Sequence, residues 1–196
     1  MPGWATMMTV CSIPSLRAPA DQAPMASSDR IILVAGLGNE LLSDDGVGVH
    51  ACRLLEQQAR AKGRSDVVIA EIGTAVGDAM HLFEQAELIL GIDALQAGGA
   101  PGTVYLAKAG ELDSEELVGL HQLSLLGALQ MVAVEASGRL SAWQRPQVEI
   151  IGVEPTSLAL GMSLSPPVQA SLARVTAQAW QRIDRWAAGR ADRRRT

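Results

Sequence analysis

The sequence is short of lysine, aromatics and cysteine, and it has no long hydrophobic run. Lys62 and Lys108 are its only lysines, and a net charge of −5 on 196 residues leaves no basic face for a polynucleotide. Nucleic acid is therefore not an expected partner. Two cysteines, Cys11 and Cys52, give neither the number nor the spacing of a disulfide framework or a zinc site, as expected in a reducing compartment. No apolar run approaches the roughly 20 residues of a membrane span, and no basic start leads into an apolar signal segment. The expectation is a soluble, cytoplasmic protein with no membrane partner. The H-E-x-x-H helix of zinc proteases and the G-x-S-x-G elbow of serine hydrolases are both missing. The aromatic content, 3%, reads as compositional bias without functional content.

What is there suffices for one core, since 48% of the residues are hydrophobic and the length fits a single domain. Residues 1–30 carry Pro2, Pro14, Pro19 and Pro24 with no sustained period, and read as a disordered leader. Residues 189–196, "GRADRRRT", read as an unstructured charged tail. Between them, over 31–188, short apolar runs alternate with helical patterns, the mark of βα units. The runs are "IILVA", "DVVIAEIG", "ELILGIDAL", "GTVYLAK" and "VEIIGVEP". They predict an α/β fold: one open, twisted, mostly parallel sheet of about five strands with helices on both faces. Helices are expected after the first, second and fourth runs. A long one closes the domain, with Ser165 as N-cap, Pro166 in its first turn, and a core stripe of Val168, Leu172, Val175, Ala179, Ile183 and Trp186. "QAGGAPG", residues 96–102, reads as a flexible link.

The chemistry gathers where strands end. In "IILVAGLGNELLSDDGVG", Gly36 and Gly38 permit a sharp turn, but Leu41 stands where a dinucleotide fingerprint needs its third glycine, and no Gly-Lys-Ser/Thr closes a phosphate loop. Asn39 can hold the turn, and Asp44 or Asp45 can cap the helix that opens at Gly46. Capping uses one aspartate. The second makes the pair an anionic site that would welcome a cation. Asp93, the only charge within the apolar run 88–95, lies where a neighbouring strand should end, and in an open α/β sheet ligands bind outside those ends. His121 opens a helical pattern, where the dipole keeps imidazole neutral and free to bind metal. His50 sits on another helix face than Asp45. His81 follows Asp78 by three and is a weak second ligand pair. Two carboxylates and an imidazole make an oxygen and nitrogen site suited to nickel or zinc.

Six pieces occur in one order: "GLGNELLSDDGVG", "GTAVG", "GIDAL", "APGTV", "HQLSL" and "GVEPTSLALGMSLSP". In these the chain resembles the endopeptidases that mature nickel–iron hydrogenases, from Ile31 to about Ile183. The resemblance implies that the metal-contacting acids fall on Asp45 and Asp93, which would also be catalytic, and the histidine on His121. Some members have Glu at the first position, so Asp45 is the shorter variant. It further implies removal of a C-terminal extension from the hydrogenase large-subunit precursor after nickel insertion, the nickel being carried by the substrate. Asn39 and the Gly73-Thr74 turn would shape the cleft. The competing reading is a non-catalytic metal-binding checkpoint protein for the same precursor, and a nucleotide-binding protein is disfavoured. The oligomeric state is left open.

Overall fold

The computed structural model of the chain describes residues 31–108 and 146–193. The leader 1–30, the helix expected after the fourth strand and His121 lie outside them. All five expected strands form: β1 (Ile31–Leu37), β2 (Val67–Gly73), β3 (Ala86–Ala94), β4 (Val104–Lys108) and β5 (Gln147–Val153). They make one sheet in the order β2-β1-β3-β5-β4, parallel except for β4, which pairs antiparallel with β5 at the edge. The central strands read as unbroken apolar runs because helices cover both of their faces, and alternate residues go to opposite sides. Ile32, Val34, Leu88, Leu90, Ile92, Ile151 and Val153 pack under α1 (Val47–Ala61) and the closing helix α3 (Pro166–Arg193). Leu33, Ala35, Leu37, Ile89 and Ile150 pack under Phe83 of the short α2 (Met80–Gln85).

The stripe expected on α3 is buried along its whole length, from Val168 to Trp186. A buried charged pair crosses that interface: Glu149 of β5, 3% exposed, meets Arg182 of α3 at 2.9 Å. The helix runs on to Arg193, so it takes in residues 189–193 of the stretch read as an unstructured tail. Arg190 ties this end of the helix down: its side chain pairs with Glu87 at the start of β3, 3.1 Å away.

Gly36 corrects one detail. It lies inside β1, and its need for no side chain is one of close approach: a Cβ there would meet the Gly48 carbonyl and the Cys52 sulfur, at 2.5 and 2.7 Å. The start of α1 thereby packs hard against the end of β1. The sharp turn belongs to Gly38, at φ +105°.

Candidate active site

The site grows from the turn after β1. A Cβ on Gly38 would collide with the backbone carbonyl oxygen of Asp45 and would stand 3.5 Å from Oδ1 of Asp93, so this glycine packs against the Asp45 backbone beside the Asp93 carboxylate. Gly38 N–H donates to the Gly73 carbonyl at the end of β2 (3.2 Å), and Asn39 Oδ1 accepts from Leu41 N–H (3.0 Å). The turn then closes on itself, because Asn39 N–H donates to Asp45 Oδ2 at 2.7 Å. β1 lies beside β3, as expected, and Asp93 sits near the end of β3 with its Oδ1 accepting the Ala94 N–H at 2.8 Å. Asp45 and Asp93 are 7% and 1% exposed.

Gly46, rather than either aspartate, holds the N-cap place of α1. A short 3-10 turn, Ser43–Gly46, carries both acids into that helix. Asp44, fully buried, accepts from Thr156 N–H (2.8 Å), Ser157 N–H (3.1 Å), Ser165 N–H (2.6 Å) and the Ser165 hydroxyl (2.8 Å). It clasps the loop between β5 and α3. Ser165 does hold the N-cap place of α3, its carbonyl accepting from Gln169 N–H (2.8 Å), but its hydroxyl is given to Asp44. Burial pushes the Asp44 carboxyl up, yet the donors from Ser165, Thr156 and Ser157 outweigh it and hold the group below the usual aspartate range. Ser43 is drawn into the left-handed region, φ 49°, by its bonds to Gly161 and Ala159 of the same loop.

A further buried carboxylate, Glu154, was not singled out by the sequence. Glu154, just past β5, accepts from Ala97, Gly98 and Gly99 N–H groups (2.9, 3.3 and 3.2 Å) and from the Tyr105 hydroxyl (2.8 Å). "QAGGAPG" is thus no flexible link but a loop wrapped around this side chain. Here too burial raises the carboxyl and the donors, Ala97 first, bring it below the usual glutamate range. The available signal was a lone acid ending an apolar run, the same signal that marked Asp93.

The remaining candidates separate. His50 lies 3.8 Å from Glu40, and His81 Nδ1 donates to the Asp78 carbonyl rather than pairing with its carboxylate. Burial, then the charge of Glu71, pushes the Cys52 thiol up to about 12, which removes it as a nucleophile. Among the described residues no group of three His, Cys, Asp or Glu side chains stands close enough to hold a metal ion. His121 lies outside that set, so the expected triad is represented by its two acids.

The sequence profile of the hydrogenase maturation protease family matches residues 49–182. The chain belongs to that family. Among its relatives is the hydrogenase expression/formation protein HupD of Bradyrhizobium diazoefficiens, 30% identical over 164 residues and covering 83% of each chain. Another is the hydrogenase 2 maturation protease of Escherichia coli, 30% identical over 147 residues, 72% of this chain and 83% of that one. The [NiFe] hydrogenase maturation protease HybD from Thermococcus kodakarensis has the same fold, with a TM-score of 0.64 and 26% identity over 77% of this chain and 97% of that one. This hydrogenase maturation protease is accordingly an endopeptidase, a hydrolase by class. Asp93 and His121 fall within the profile match and Asp45 four residues before it.

Proposed function

We propose that this hydrogenase maturation protease removes the C-terminal extension of the large-subunit precursor of a nickel–iron hydrogenase, in the cytoplasm, once nickel is in place. Nickel belongs to the substrate. Asp45, Asp93 and His121 engage it with oxygen and nitrogen donors, and the precursor's thiolates supply the soft donors that make its binding tight. The metal thereby certifies loading and sets the scissile peptide beside a water that it polarises or that a carboxylate deprotonates. Hydrolysis adds that water across the peptide bond, leaving a new carboxyl terminus and a free amine. The observation that supports this reading is that Gly38, in the turn after β1, packs against the Asp45 backbone and lies beside the Asp93 carboxylate at the end of β3, both acids being buried. No described helix is long and apolar enough to cross a membrane.

The test is a cleavage assay on purified precursor prepared with and without nickel, read by the mobility shift of the large subunit. The loaded form is expected to be cut and the nickel-free form spared. Efficient cutting of nickel-free precursor would overturn the metal's role, and tight binding without cutting would favour the checkpoint reading.

A further inference from the structure

The two loops that frame the site carry an apolar rim that neither core cluster uses. Of five large apolar side chains exposed among the described residues, four are here: Leu41 (56%), Leu158 (37%), Leu160 (86%) and Met162 (77%). The fifth, Leu106, is on the edge strand β4. Backbone bonds draw the four together. Leu42 and Gly161 form a parallel bridge, Gly161 N–H donates to the Leu41 carbonyl (3.0 Å), and Ser43 N–H donates to the Gly161 carbonyl (2.8 Å). Leu160 and Met162 therefore flank the residue bonded to Leu41. Asp44 fixes the same loop at Thr156, Ser157 and Ser165. Apolar side chains held in water by a fixed backbone are unfavourable unless something covers them, and clusters of this kind mark contact surfaces.

We propose that this rim is the docking surface for the precursor polypeptide: an extended, apolar-faced segment beside the scissile bond lies across Leu41, Leu160 and Met162 as the bond reaches Asp45 and Asp93. The proposal rests on the protein being the precursor's endopeptidase. Continuity selects the precursor over a second copy of this chain. Leu41 and Asp45 belong to one turn, closed by the Asn39–Asp45 bond, so a substrate reaching Asp45 passes the rim, whereas a second copy seated there would obstruct the site.

The test is the Leu160→Glu/Met162→Glu double variant, which removes no core side chain. On nickel-loaded precursor its kcat/KM should fall at least ~10-fold through KM, with kcat and Tm kept, since a few apolar anchors dominate such contacts. Unchanged kcat/KM would overturn the proposal. So would a dimeric wild type that becomes a monomer in the double variant without losing cleavage, because the rim would then serve self-association. If wild type fails to cut loaded precursor, the assigned activity fails, and the rim is judged by precursor binding alone: loss in the double variant supports docking, and equal retention overturns it.

Discussion

Beneath α1 and α3 the sheet is closed by hydrocarbon, with Leu55, Val175 and Ile183 wholly out of water; at the carboxyl ends of the same strands Asp44, Asp45, Asp93 and Glu154 are nearly as dry, at 0%, 7%, 1% and 7% exposure. Burying hydrocarbon is favourable in itself. Burying a carboxylate costs several kcal/mol unless donors surround it. Backbone N–H groups help to meet that cost. Asp44 and Glu154 draw theirs from segments more than 50 positions away, as the separations of 112 to Thr156 and 57 to Ala97 show, and so tie loops to the sheet. Asp45 and Asp93 each accept from a residue of their own turn, Asn39 and Ala94. The first two acids build the site, and the second two are the ones proposed to work in it.

The sharpest way to break this division is Asp93→Asn, which keeps an oxygen for the Ala94 N–H while removing the charge. Precursor cleavage should drop ~100-fold or more with little change in a denaturant melt. A comparable loss of stability would make Asp93 a structural acid like Asp44. Next comes the hydrocarbon side: Leu55→Ala should cost about 3 to 4 kcal/mol by urea unfolding, through lost burial and a residual cavity. Molecules that remain folded should keep their cleavage rate.

Asp44→Ala should cost about 2 to 3 kcal/mol, because it strands three backbone donors that a charged group now satisfies. A loss near the ~1 kcal/mol of a simple helix cap would show that the loop finds other partners. The smallest effect is on pH. Asp44 and Glu154 both have folded pKa values below their unfolded ones, so the unfolded chain takes up protons first as the pH falls. Their stabilisation is complete above the unfolded values, ~3.9 and ~4.3, and is lost as the pH drops through the lower folded values. Urea midpoints should hold steady down to about pH 5 and then decline, and an Asp44→Asn/Glu154→Gln variant should start lower and decline less.

Much of the fold was legible because its signals are local. Unbroken apolar runs mark strands buried on both faces, and the 3-and-4 spacing from Val168 to Trp186 gives α3 its buried face. Asp93 stood out as the one charge in an apolar run, and Asp45 as one of two adjacent acids at a helix start. Asp44's partners were not, since nothing within a few residues of it signals a bond to Thr156 or Ser165, more than 100 positions on. Local reasoning assigned it to its own helix. Glu154 failed for the same reason, and the loop it organises was read from its glycines as loose. The helical end of α3 depended on Arg190 meeting Glu87, another contact between distant segments.

The proposed division of tasks between two adjacent buried aspartates is tested most directly by single-turnover cleavage of nickel-loaded precursor by Asp45→Asn, alongside its urea midpoint. The rate should fall ~100-fold or more with a midpoint close to wild type, since the amide oxygen can still accept from Asn39. A rate within about threefold of wild type, or a loss of stability matching that of Asp44→Ala, would contradict it.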